Sequence, residues 1–392
     1  MERMMEAIQL EEKLSPKLTL KRFLSVRSTI HTTSSFPERQ QAAIGARSQF
    51  RSLGAGTCGR VFEVPSTTDI FKVANYPGQE TDQMWNDYLM HSKISDVLEN
   101  WGRDRLAFRV PRHKYFVGEK DNIWWSENLD RFPAQFLKRH SNLLCTERIC
   151  PLAKPIRESL IDLYAPRNAD IANFKADASN KDCLVRIYLG KRRERPNNMF
   201  FQLRNFNLHL DQMEELQLDV NEFASAIGEA LAIMHWACHI DGNDVEFVLG
   251  SSPDVSAQPH MIFAKPLTVQ QISALPVDTS TWNAHLNDFK ERTTWIWMLD
   301  FNRCKSFAKD TNELLMQLLH SFFANDPYFP RPFPSQHRDA FLWTTFRNSY
   351  ERTSAECFRR KISPEKHSDL PRVFMDMVEA EQKKRMESRL AV

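Results

Sequence analysis

Eight residues constrain this chain more than any others. Gly54-Ala55-Gly56-Thr57-Cys58-Gly59-Arg60-Val61 is a G-x-G-x-x-G-x-V run that holds three of the chain's 11 glycines. Without Cβ atoms, Gly54, Gly56 and Gly59 let a backbone pass close to a ligand and turn N–H groups toward phosphate oxygens. Arg51 to Val64 reads as a hairpin around that run, with Val61 placed to cover a base. Asp69-Ile70-Phe71-Lys72-Val73-Ala74 reads as the next strand. A loop followed by a strand excludes the dinucleotide fold, which needs a helix there. Lys72, lodged between apolar neighbours, must find an anion or reach for water. The helix expected over Thr81 to Leu98 carries Met84, Trp85, Tyr88, Ile94, Val97 and Leu98 on one side. It should supply the anion, Asp87 first and Glu80 second.

Composition narrows the class. A hydrophobic content of 42% with 11% aromatics is enough for a packed core, and a net charge of +2 gives no field for nucleic acid or membrane. No apolar run approaches the ~20 residues of a membrane span. Seven cysteines without paired spacing point to reduced thiols and an intracellular protein, cytoplasmic or nuclear. His235, Cys238 and His239 lie close in sequence, as do Cys145 and Cys150, but no second ligand pair accompanies either group, so no zinc is expected. Met1 to Leu14 reads as a short helix, and Lys17 to Arg47 as a flexible or loosely packed arm.

Further strands are expected over Phe108–Val117, Leu143–Ile149, Cys183–Tyr188, Phe247–Leu249 and Thr294–Leu299. Val220–Trp236 is a helix by its spacing of Phe223, Ala226, Ile227, Ala230, Leu231 and Met234, and Leu314 to Phe323 marks another. Asp300 follows the apolar Trp295-Ile296-Trp297-Met298-Leu299, so a carboxylate stands at the tip of a buried strand. His239-Ile240-Asp241-Gly242-Asn243-Asp244-Val245-Glu246 is an acidic turn between a helix and a strand. Three acids within six residues repel one another unless a cation sits among them.

The glycine loop, Lys72, the His239–Glu246 turn and Asp300-Phe301-Asn302 together resemble the protein-kinase and aminoglycoside-phosphotransferase folds. The resemblance implies an α+β, two-lobed, protein-kinase-like structure, with a small antiparallel sheet plus helix as N-lobe and a mainly helical C-lobe. The implied parts are 1–48 as an N-terminal arm, 49–150 as N-lobe, 151–335 as C-lobe and 336–392 as a helical extension. It implies an Mg-ATP site in which the glycine loop, Val61 and Lys72 hold the nucleotide. The Glu147 carbonyl and Ile149 amide would face the adenine, with Thr146 behind. Asp241 would be the base toward a hydroxyl acceptor, small molecule or protein, with Asp300 and Glu246 as Mg²⁺ ligands and Asp244 nearby. Ile240, Glu246 and Asn302 depart from the kinase pattern and no A-P-E follows, which leaves open a pseudokinase that serves as an interaction module. His337-Arg338-Asp339 matches H-R-D literally but falls after Asp300 on a helical pattern, and is set aside. An insert near 251–290 falls where the mouth of the cleft is expected.

The wording of Asn86-Asp87-Tyr88-Leu89-Met90-His91, Glu147-Arg148-Ile149-Cys150-Pro151, Asp244-Val245-Glu246-Phe247-Val248-Leu249-Gly250 and Leu299-Asp300-Phe301-Asn302 resembles a fungal family of uncharacterised domains sometimes labelled zinc-finger-protein-like. That resemblance runs over roughly residues 50–330 and implies a fungal source.

Overall fold

The structure is a computed structural model of the chain. It describes residues 14–31, 49–65, 67–76, 83–133, 135, 139–166, 170–193, 201–253, 268–274, 276–277, 291–333, 337–362 and 367–390. Glu80 and most of the Met1–Leu14 and 251–290 segments lie outside these residues.

The strands, in chain order, are β1 (Thr29–His31), β2 (Arg51–Ala55), β3 (Gly59–Glu63), β4 (Asp69–Ala74), β5 (Phe108–Arg109), β6 (His113–Val117), β7 (Leu143–Glu147), β8 (Val185–Tyr188), β9 (Phe206–His209), β10 (Glu246–Pro253) and β11 (Glu291–Leu299). They form two sheets. The first has the order β2-β3-β4-β7-β6; the second runs β1-β11-β10-β8-β9, with β5 against β11. The chain is therefore two-lobed and α+β, as a protein-kinase-like fold requires. Its second lobe holds a six-stranded sheet besides its helices, more strand than the sequence suggested.

Alternation along the strands fixes what each sheet faces. In the first sheet Phe62, Phe71, Val73, Leu143 and Cys145 point one way, into a cluster closed by Phe50, Trp125 and Phe132. Val61 and Lys72 are cross-strand partners on the opposite face. In the second sheet Val185, Ile187, Phe247, Leu249, Ile296 and Met298 enter the large core around the Val220–Trp236 helix. The other face carries Val248 and Trp297, which pack with Ile149, Leu184, Trp295 and Leu299. Lys72 on the first sheet bonds Asp300 at the end of β11, so the candidate cleft lies between that second face and the Lys72 face.

Several expectations need correction. Phe108–Val117 is not one strand: it splits at Pro111 into β5 in the second sheet and β6 in the first. Proline lacks the N–H that a continuous ladder would need there. The arm expected over Lys17 to Arg47 is packed in its first half. Ser15 caps a Pro16–Phe23 helix, Leu20, Phe23 and Ile30 are buried, and β1 pairs with β11. Burying those apolar side chains offsets the entropy of ordering the segment. A boundary at 335 cuts through packed structure, because Leu342, Phe346 and Tyr350 of the His337–Arg359 helix belong to the large core. That helix lies so close to Val220–Trp236 that a Cβ on Gly228 would meet the Phe346 carbonyl at 2.6 Å. The insert leaves β10 at Pro253, which pairs with Arg292, while Glu246 pairs with Leu299. It therefore departs from the end of the hairpin remote from Asp300, about 24 Å away at strand rise, and where most of it lies falls outside the described residues.

Candidate nucleotide cleft

Lys72 joins three elements. Its ammonium donates to Asp87 Oδ2 at 2.6 Å and to Asp300 Oδ1 at 2.7 Å. Asp87 lies on the Gln83–Trp101 helix and is buried, while Asp300 follows β11. Burial alone would lower the Lys72 pKa, but Asp300 and Asp87 outweigh it and hold the ammonium charged well above its ordinary range. The other Asp87 oxygen accepts the Phe301 N–H at 3.2 Å. The neighbouring Asn86 donates to the carbonyls of Asn302 and Cys304, both at 2.9 Å. This helix therefore clamps the segment after β11 as well as the lysine.

The glycine loop folds down on the same segment. Asn302 Nδ2 donates to Cys58 Sγ at 2.7 Å, and the Cys58 thiol donates to Gln83 at 2.6 Å. Asn302 thus ties the loop tip in place, a role that glycine could not fill. Gly59 is required sterically: a Cβ there would lie 2.7 Å from the Val73 carbonyl. Gly54 and Gly56 face more open space, with nearest atoms at 3.5 and 3.9 Å. Asp300 itself has φ +68°, and Asp244 has φ +63°. Such angles are uncommon outside glycine and are often found at functional positions.

On the far side, Glu147 and Ile149 take up the connection between the sheets. The Glu147 N–H donates to the Arg112 carbonyl at 2.7 Å, and the Arg148 N–H to the Thr68 carbonyl at 2.7 Å. The Ile149 amide has no backbone partner among the described residues. Cys150 bridges to Ser251, and a Cβ on Gly250 would meet Ile149 Cγ2 at 2.3 Å, so this connection is fastened directly to β10. Beside it lies an ion network that the sequence reading missed. Arg148 bonds Glu63, and also Asp182 at 3.0 Å; Arg51 bonds Glu63 at 2.5 Å and Asp182 at 2.7 and 2.8 Å. The available signal was Glu63, which shares a strand face with Val61 and so had to find a cation in the cleft wall.

The acidic turn divides into two parts. Asp241 is buried and committed to its own loop. Oδ1 accepts the Asn243 and Lys305 N–H groups at 3.1 and 2.9 Å, and Oδ2 accepts Gln317 Nε2 at 2.9 Å. Three of its roughly four acceptor positions are taken and the side chain is buried, which does not suit the base role expected of it. Asp244 is about half exposed and pairs at 3.4 Å with Arg303. Glu246 bonds Arg186 Nη2 of the neighbouring strand at 2.5 Å. Burial, and then the nearby Asp300, raise the affinity of both Asp244 and Glu246 for protons; Arg303 and Arg186 respectively oppose this. Cys304 is surrounded by these acids. Burial first, then Asp241, Asp87, Asp300 and Asp244, push its thiol well above the usual range.

Asp300, Glu246 and Asp244 present hard oxygen donors, and burial together with the charge of Asp300 raises the proton affinity of Glu246 and Asp244, a cost that a cation relieves. Among the described residues no group of three or more His, Cys, Asp or Glu side chains is arranged to hold a metal. Magnesium is commonly held by one or two carboxylates with phosphate and water completing the shell, so Asp300 and Glu246 fit that ion.

The chain matches the family model DUF3669, described as zinc finger protein, over residues 296–362. That stretch includes the end of β11, Asp300 and the whole of the Thr311–Ala324 and His337–Arg359 helices. All seven cysteines are free thiols. No curated protein matches the sequence. Among solved structures, WaaP in complex with acyl carrier protein aligns with 91% of this chain and 98% of its own, at 12% identity and a TM-score of 0.33. No described helix is long and apolar enough to cross a membrane.

Proposed function

We propose that this protein binds a magnesium–nucleoside triphosphate, ATP in the first instance, in the cleft between its two sheets. The observation that carries the reading is the bonding of one lysine to two acids. Lys72, Asp87 and Asp300 come from a strand, a helix and the end of a second sheet, and meet in the pattern that phosphoryl-transfer clefts use. The apolar end of the cleft, with Val61, Ile149, Leu184 and Val248, suits a base. The polar end, with Lys72, Asp300 and Glu246, suits phosphates. When bound there, magnesium would neutralise phosphate charge, with Asp300 and Glu246 as its protein ligands.

Transfer to a hydroxyl acceptor needs a carboxylate free to take the hydroxyl proton. Asp244 is better suited to that task than Asp241, since it is exposed and lies beside Asp300. A second reading, nucleotide binding without transfer, is favoured by the three hydrogen bonds that occupy Asp241. Calorimetric titration with Mg·ATP tests the first claim. Binding by wild type that Asp300→Asn abolishes supports it, and no heat from wild type sinks it. Turnover of ATP that Asp244→Asn removes and Asp241→Asn spares would then decide between the two readings.

A further inference from the structure

The polar end of the cleft contains more hydrogen-bonding capacity than its bonds use. Arg186 follows Leu184 on the cleft face and stands opposite Val248 of β10. Its Nη2 bonds Glu246 and the Tyr188 side chain also acts on the guanidinium, but its Nε is shut off from solvent with no hydrogen-bond partner among the described residues. The Tyr328 hydroxyl close by is in the same state: the residue is 7% exposed and its oxygen has no hydrogen-bond partner among the described residues. Tyr328 is held by edge contacts with Tyr188 and Phe247, with ring centroids 5.3 and 6.0 Å away. Tyr188 lies two residues from Arg186 and Phe247 is next to Glu246, so the Tyr328 ring stands beside that pair, and Glu246, Arg186, Tyr188 and Asp300 all act on it electrostatically.

A buried donor without a partner costs stability. Two such groups, one of them on the arginine itself, indicate a site shaped for an oxygen-rich anion that completes the bonding. The guanidinium also sits against Glu246, the position expected for a second metal ligand. We infer that Arg186, bonded to Glu246 beside the single magnesium ion of the proposed site, and Tyr328 hold the terminal phosphate of the triphosphate. The inference rests on the nucleotide cleft proposed above. A fixed guanidinium cannot leave with the product as an ion can, and its planar fork matches a phosphate oxygen pair. The site should therefore distinguish a triphosphate from a diphosphate and take up one divalent cation per nucleotide.

The test is calorimetry on the full chain with Mg·ATP and Mg·ADP, for wild type, Arg186→Gln and Tyr328→Phe. Tyr328→Phe removes an unsatisfied hydroxyl, so its unliganded melting temperature should hold or rise, which keeps the experiment interpretable if Arg186→Gln unfolds. The expected result is a wild-type preference for ATP that falls about tenfold in Arg186→Gln and severalfold in Tyr328→Phe, with ADP affinity little changed. Manganese titration should count one ion per bound ATP. An ATP-to-ADP ratio that is the same in Tyr328→Phe as in wild type, or two ions per ATP, overturns the inference and leaves the cleft reading intact. No binding of either nucleotide to wild type removes the cleft reading, and this inference with it.

Discussion

The Lys72 ammonium lies 2.7 Å from Asp300 although 228 residues separate them in the chain. The contact forms because β4 and β11 bring their ends together across the cleft, and Asp87 holds both sides of it. One carboxylate receives the lysine and the Phe301 amide, so the geometry around Lys72 and Asp300 depends on a single buried acid.

Asp87→Ala should therefore do more than remove one charge pair. It leaves Lys72 with a single partner in a buried setting and frees the Phe301 N–H. A loss of about 3 kcal/mol in urea unfolding is expected. Asp87→Asn retains the acceptor for Phe301 and should lose less. Equal losses for the two variants would show that the Phe301 bond contributes nothing.

The glycines of the loop should not be equivalent. Gly59→Ala puts a Cβ 2.7 Å from the Val73 carbonyl, so β3 and β4 must separate, at about 1–3 kcal/mol. Gly56→Ala meets nothing closer than 3.9 Å and should leave the melting temperature within a degree or two. Thermal melts of the two variants side by side decide the matter; a reversed order would contradict the hairpin geometry.

Tyr350 connects the His337–Arg359 helix to Val220–Trp236. Its hydroxyl accepts the Trp236 Nε1–H at 2.7 Å and lies 2.8 Å from His235 Nδ1. Tyr350→Phe leaves both rings without that partner in the core, and a cost of about 1–3 kcal/mol follows. Denaturant midpoints measure it, and an unchanged midpoint would refute it.

His235 also sets a pH dependence. Burial pushes its pKa down to about 3, only partly opposed by the Asp241 backbone. A folded-state pKa below the ordinary 6.5 means that the unfolded chain binds the proton first as pH falls. The stabilisation from neutral His235 is complete above pH 6.5 and is lost as pH drops toward 3, by up to about 1.4 kcal/mol per pH unit. Unfolding at pH 7 and pH 5 for wild type and His235→Gln checks this. The variant should lose less stability over that interval, and parallel losses would count against it.

The elements that could be read from the chain are those whose signal is local. The β2–β3 hairpin, β4 and the Val220–Trp236 helix lie where periodicity puts them, because each carries its pattern within one window. Asp87 as the partner of Lys72 was legible for a similar reason: a helix directly after the lysine strand has few acids to offer. Trp85 was misjudged; it is 51% exposed and rests edge-on against Phe116. The Arg148–Glu63–Asp182–Arg51 network joins stretches far apart in sequence, so no window contains it.

By itself the sequence determined the glycine hairpin, the lysine strand and the acid-tipped strand, since backbone freedom and side-chain alternation are properties of neighbours along the chain. Only the tertiary structure decided which acids work together. It tied up Asp241 in its own loop, placed Arg186 on Glu246 and set Tyr328 beside them, because hydrogen bonds form between groups that packing brings near, whatever their separation along the backbone.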